Sequence, residues 1–277
     1  MGLFNNYLKE GPGIDVNAPK KKGIFLFFEI FGRKFIDLIK TNSLYFLVSL
    51  PFFVFTMIFL APLFTITFLP ESLQDNMQIV ALTSLMFTVI IFNYFGSGPA
   101  SVAYAYVARC FTQSKHVWIM SDGIDVFKQN FKQSILFLAI DVVLIFLAVN
   151  AIGFYKAGDG AIYSFLYYLM IVLLVLYAIS HTFAYQIIAT YNCKIRDVYK
   201  YAIEMTIAKL PVSILIFVVT IALNILMFYY ISAFNVIIYI VIYAIIGMSI
   251  AKFPLEFYAA RVIEKNIEKT NTQGDNE

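Results

Sequence analysis

Residues 210–251 contain no Asp, Glu, Lys or Arg. One helix of those 42 residues would be about 63 Å long. The hydrocarbon core of a bilayer is roughly 30 Å thick, so this run is too long for one crossing and suits two. The most polar short stretch near its middle, Tyr230-Ile-Ser-Ala-Phe-Asn235, is the expected turn. Four further runs have the same character: 41–70, 77–108, 134–155 (interrupted only by Asp141) and 161–193. The pattern predicts an all-α, polytopic helical membrane protein with six spans, at about 42–69, 78–108, 134–153, 161–191, 210–230 and 234–252.

Composition agrees. Apolar residues make up 61% of the chain and charged residues 13%. A soluble domain is about 45–50% apolar and about 25% charged. So little charge cannot cover the surface of a soluble globule, which excludes a soluble enzyme and a disordered chain.

The basic residues then set the expected orientation. Nineteen of the twenty Lys and Arg fall in the N-terminal segment, the links 109–133 and 194–209, and the stretch from Lys252 onward. The link 71–76 and the expected turn between spans 5 and 6 hold none, and the link between spans 3 and 4 holds only Lys156. By the positive-inside rule, both termini are expected on the cytoplasmic side of a cell membrane. The same alternation accounts for the net charge of +3 without a nucleic-acid partner. The first apolar run begins about 40 residues in, behind a charged segment, so no cleavable leader is expected.

Three basic segments lead into spans 1, 3 and 5. In residues 22–40, Phe27, Ile30, Phe31, Phe35 and Leu38 share one helical face, while Glu29, Arg33, Asp37 and Lys40 fall mostly on the other. Residues 118–132 and 195–209 have the same spacing, and Asp125-Val-Phe-Lys128 matches Asp197-Val-Tyr-Lys200. This is the pattern of cytoplasmic amphipathic helices lying in the membrane interface. It suggests three units, each an interfacial helix followed by a transmembrane hairpin. Residues 1–22 form a separate N-terminal segment with turn chemistry at Gly11-Pro-Gly13 and Asn17-Ala-Pro19, residues 23–269 the membrane domain, and residues 270–277 a polar tail expected to be disordered.

Several motifs carry a family resemblance. Gly11-Pro-Gly13 with Asn17-Ala-Pro-Lys20 precedes a Phe-rich basic helix. Gly98-Pro-Ala100 is followed by Tyr106-Val-Ala-Arg109, and Trp118, Asp122 and Phe127-Lys-Gln-Asn130-Phe-Lys-Gln133 come next. Over residues 1–145 the chain resembles YesL-like proteins, integral membrane proteins of bacteria with no characterised molecular function. They often accompany carbohydrate-uptake and glycan-breakdown systems. The resemblance implies an accessory or regulatory role beside carbohydrate-transport components, and supplies no catalytic residues.

Within the spans, a few residues stand out. Asn93-Tyr-Phe-Gly-Ser-Gly-Pro-Ala100 places Asn93, Gly96, Gly98 and Pro99 deep in span 2. Either Pro99 kinks a continuous helix, or the helix breaks there, as helices do at transporter binding sites. Asp141 is an intramembrane carboxylate, expected to face the bundle interior and to meet a polar group on span 2 or span 4. His181 is one candidate partner, either as half of a proton relay or as a neutral core histidine. Together these residues form a candidate mid-membrane polar site, and with it the alternative of a small-molecule transporter.

A membrane-embedded enzyme is the weaker alternative. The chain has no G-x-S-x-G, H-E-x-x-H or P-loop motif, so no catalytic residues are expected. Two Cys and two His, widely scattered, offer no metal-ligand spacing, and no cofactor is expected. Cys110 and Cys193 fall at the basic ends of spans 2 and 4 and are expected as free thiols. The expected partners are the lipid bilayer and carbohydrate-transport components.

The topology has a direct test. A cysteine at Gln74 should react with a membrane-impermeant thiol reagent added outside intact cells, and one at Gln113 should not. Labelling at Gln113 would overturn the orientation.

Overall fold

The computed structural model describes residues 23–232 and 235–274, and side chains at 23–230 and 235–266. The N-terminal segment 1–22, part of the expected 230–235 turn and residues 275–277 lie outside the described residues. Helices form every regular element described. Six are long and apolar enough to cross a membrane: Phe35–Phe68, Met77–Phe95, Phe131–Ala157, Ala161–Thr190, Leu210–Tyr230 and Val236–Asn266.

The helices, in chain order, are α1 (Gly23–Arg33), α2 (Phe35–Phe55), α3 (Ala61–Phe68), α4 (Glu71–Gln74), α5 (Met77–Phe95), α6 (Pro99–Thr112), α7 (Ile119–Gln129), α8 (Phe131–Ala157), α9 (Ala161–Thr190), α10 (Ile195–Ala208), α11 (Leu210–Ser232), α12 (Val236–Ile242) and α13 (Met248–Gly274). A π-helical turn, Thr56–Leu60, joins α2 to α3, and another, Tyr243–Gly247, joins α12 to α13. The backbone of α13 therefore runs past residue 252 and into the stretch read from sequence as a tail.

α1, α7 and α10 each turn into the following span at a single residue. Lys34, Asn130 and Lys209 have φ/ψ of −103/13, −99/6 and −124/23. All three sit in the sparsely populated bridge region, which bends a chain without interrupting it for long. The residue eleven positions after each joint, about 16 Å along a helix, is Tyr45, Asp141 or Thr220. All three are buried.

Each short helix packs on the second span of the unit before it. α7 packs on α6, and α10 on α9. α1 closes the circuit against α13: the Phe27 ring lies 5.7 Å from Phe253 and 5.3 Å from Phe257, and Phe31 lies 6.4 Å from Phe253. At the centre, α6, α9 and α13 pack on one another. The links 113–118 and 191–194 lie at the basic end of the bundle. There Arg33 donates to Ser114 Oγ, and Arg109 to Thr190 Oγ1. Large apolar residues such as Ile58, Leu147, Val172, Leu215 and Ile238 point outward, as a lipid-facing surface requires.

The π-turns have a packing use. A π-turn displaces backbone carbonyls from the regular i→i+4 ladder. The Ile245 carbonyl accepts from Asn42 Nδ2 at 3.2 Å. The same amide bonds Ser249 Oγ, and Tyr104 OH donates to Asn42 Oδ1. Asn42 is fully buried and ties α2, α6 and the last span together. Interhelical polar bonds in membranes are worth about 1–2 kcal/mol at most. Asn42→Ala should therefore lower stability by about 1–2 kcal/mol, read as a lower thermal midpoint in detergent. An unchanged midpoint would contradict this role.

Candidate functional site

Span 2 breaks completely. α5 ends at Phe95 and α6 begins at Pro99, with Gly96 and Gly98 at φ +71 and +64. Left-handed backbone favours glycine because it has no Cβ. Space enforces the choice at Gly96, where a Cβ would fall 2.5 Å from Ser101 Oγ and 2.6 Å from Tyr185 Cε2. Pro99 sits at the first position of α6, where its missing N–H costs no hydrogen bond. Of the two openings read from sequence, the broken helix is the one found.

A break frees the last carbonyls of α5 and the first N–H groups of α6. In hydrocarbon these must find partners within the protein. Tyr185 OH donates to the Phe95 carbonyl at 2.7 Å and accepts from Gly98 N–H at 3.4 Å. Ser97 N–H donates to Ser101 Oγ at 2.8 Å. The Ser97 hydroxyl in turn meets Tyr45 OH and Ser49 Oγ. The Asn93 carbonyl accepts from the ammonium of Lys252 at 3.3 Å.

Lys252 belongs to a buried charged group that sequence reasoning assigned to an aqueous edge. Lys252 and Glu256 are 2% and 3% exposed. Their charges lie 3.8 Å apart, one helical turn along α13. Gln186 donates to Glu256 Oε2 and to the Ala105 carbonyl, where α6, α9 and α13 meet. The ammonium lies 5.4, 5.8 and 5.9 Å from the ring centres of Tyr45, Tyr104 and Tyr185. These are cation–π distances. The signal was present in the sequence: a Lys and a Glu four apart, inside a stretch that stays apolar at Phe253, Leu255, Phe257, Ala259 and Ala260.

On the other side of Tyr185 lies a second polar group. Asp141 and His181 are brought together, with Nε2 and Oδ2 2.9 Å apart and both side chains buried. Tyr177 OH and Tyr199 OH each donate to Asp141 Oδ1 at 2.6 Å. Phe95, beside the helix break, and Phe137 pack on the His181 ring at 5.1 and 5.4 Å. Tyr199 comes from α10, outside the spans. Burial pushes its phenol well above the usual tyrosine range, and the Asp141 carboxylate raises it further, so it remains a donor. Just before the same helix, burial likewise raises the Cys193 thiol, and both cysteines are free.

Of the six residues picked from sequence, Gly96, Gly98 and Pro99 form the break, and Asp141 and His181 form a pair beside it. Asn93 faces the other way. Its side chain donates to Asn224 Oδ1 and accepts from Tyr243 OH, which joins α5 to spans 5 and 6. Sequence reasoning also missed Tyr177 and Tyr199. Tyr177 lies one helical turn before His181 on the same face, a spacing that marks it, whereas Tyr199 comes from another helix and only packing brings it to Asp141.

Two cavities stand out. One, of about 270 Å³, lies between α2, α6 and α7 and includes Tyr45, Tyr104 and Phe127 in its wall. The other, of about 590 Å³, lies between α8, α9 and α10 and includes Leu147, Leu173, Tyr177 and Ile207. Aliphatic and aromatic side chains form most of both walls. Neither contains Asp141, His181, Lys252 or Glu256. Among the described residues, no cluster of His, Cys, Asp and Glu has the arrangement of a metal site.

The family described as "Protein of unknown function, DUF624" matches residues 77–151, from α5 through most of α8. YesL-like proteins carry this domain. The matched stretch contains the helix break and Asp141 but not His181, Lys252 or Glu256. No curated protein and no solved structure matches the chain.

Removing one partner of a buried ion pair costs about 3–5 kcal/mol, whereas removing both costs far less. Lys252→Met and Glu256→Gln should each destabilise strongly in detergent unfolding. The double variant should recover most of the loss, short of what the Asn93 carbonyl forfeits. A double variant as unstable as the two single effects added together would refute the pairing.

Proposed function

We propose that this chain is a non-enzymatic integral membrane protein, an accessory or regulatory component of a bacterial carbohydrate-uptake or utilisation system, with both termini in the cytoplasm. The observation that carries the non-transport reading is the pairing of the interior polar groups. Asp141 is matched to His181 and two tyrosines, and Lys252 to Glu256, a carbonyl and three rings. A transport site needs polar groups that face a water-accessible cavity. Here the polar groups face each other, and the cavities are walled mainly by apolar side chains. The carbohydrate setting rests on the resemblance to YesL-like proteins, and the outward apolar surfaces supply area for contact with membrane partners. A second reading, a small transporter, is favoured by the break at Gly96–Gly98 beside Asp141 and His181.

The two readings separate in one pair of experiments. Photo-crosslinkers at Val172 and Leu215, in the native membrane during growth on sugars, should trap a carbohydrate-transport component, identified by mass spectrometry. The purified protein alone in proteoliposomes should move neither sugar nor protons. Sugar uptake by the protein alone, abolished in Asp141→Asn, would replace the accessory reading with the transporter.

A further inference from the structure

His181 has a fixed tautomer. Its Nδ1 lies 2.8 Å from the Tyr177 carbonyl oxygen. A carbonyl oxygen only accepts, so Nδ1 carries a hydrogen. In a neutral imidazole this leaves Nε2 bare. Nε2 lies 2.9 Å from Asp141 Oδ2, and neither atom has a hydrogen-bond partner. With an ionised Asp141, two sets of lone pairs would face each other in a buried site of net charge −1. Isolated buried charge is strongly unfavourable. One further proton makes the site neutral, either as imidazolium with carboxylate or as neutral imidazole with carboxylic acid. A second would leave a net positive charge.

No other group supplies the compensation. From α9 the site is faced by the phenols of Tyr177 and Tyr185, and from α10 by that of Tyr199. From α5 it meets the Phe95 ring, and α8 adds Phe137, neither of which titrates. The charges of α13, Lys252 and Glu256, are paired with each other, with Lys252 5.9 Å from the centre of the Tyr185 ring.

We propose that Asp141 and His181 form a binding site for one proton, and that the site fastens the short helix α10 to the α8–α9 hairpin through Tyr199. The proton comes from the aqueous face, and only an N–H or O–H bond forms. Tyr199 is half-buried and belongs to a helix outside the spans, so it links the site to that face. Its hydroxyl and that of Tyr177 share Oδ1, so any rearrangement of the carboxylate is transmitted to α10.

Two measurements on the full-length protein in nanodiscs test it. The chain has two histidines, so 15N-histidine NMR resolves His181 once His116→Gln identifies the other signal. Infrared spectra report a carboxylic acid as a carbonyl band that Asp141→Asn removes. The expected result is one proton at neutral pH: a doubly protonated His181 without the band, or an Nδ1–H neutral His181 with it. Neutral His181 without the band, or doubly protonated His181 with it, overturns the site. For the fastening, spin labels go on cysteines at Glu204 (α10) and Asn150 (α8), in a Cys110→Ser/Cys193→Ser background. Tyr199→Phe removes one oxygen atom and should fold, and it should broaden or shift the inter-label distance distribution. Asp141→Asn, if it folds, should do the same. A distribution unchanged by Tyr199→Phe overturns the fastening and leaves the accessory reading untouched.

Discussion

Backbone polar groups that cannot reach water govern this structure. Where α5 stops at Phe95, carbonyls are freed inside the bundle, and an unsatisfied group there costs several kcal/mol. The residues gathered at Gly96–Gly98 answer that cost one by one. A tyrosine hydroxyl takes the Phe95 carbonyl, an ammonium takes that of Asn93, and a serine takes the Ser97 N–H. The ammonium then requires a counter-charge and rings around it, which fixes Glu256, Gln186 and the three tyrosines. A lysine near the C-terminal end of α5 also meets the negative end of that helix dipole. One break in one helix thus accounts for most of the polar residues where α6, α9 and α13 converge.

The three joints share one spacing. Tyr45, Asp141 and Thr220 occupy one register, eleven residues after Lys34, Asn130 and Lys209. The matching Asp125-Val-Phe-Lys128 and Asp197-Val-Tyr-Lys200 place Phe127 and Tyr199 at equivalent points of the short helices. Phe127 and Tyr45 line one cavity together, and Tyr199 bonds Asp141. Where the register position is a carboxylate, the short helix brings a hydroxyl; where it is a phenol, the short helix brings a bare ring.

How much of this is legible in the sequence depends on the range of the interaction. Charge-free runs count spans because the bilayer thickness is a fixed ruler, and six helices of that kind are present. Gly-Ser-Gly-Pro marks a weak point in a helix from local backbone preferences alone. Asp141 and His181 announce themselves by cost, since an ionisable residue in a span needs a partner. The partners are another matter. Tyr177 shares a helical face with His181, four residues on, but Tyr199 is one of nineteen tyrosines and reaches Asp141 from another helix, which no local pattern shows. Lys252 was miscast for a specific reason: a basic residue ending an apolar run resembles a topology marker. Only packing against a carbonyl freed 159 positions earlier reveals its use.

Electroneutrality connects the two polar groups. Each pairs one cationic or proton-bearing residue with one carboxylate, and Tyr185 stands between them. Its hydroxyl serves the broken backbone, and its ring lies 5.9 Å from the Lys252 ammonium and 6.5 Å from the His181 ring. The lysine pair is held on one helix, with both charges on α13, and tightens the centre of the bundle. The aspartate pair spans α8 and α9 and reaches α10 through Tyr199, so its contacts tie three elements together. Of the two, the aspartate pair is the one with a mechanical connection to the protein's aqueous face.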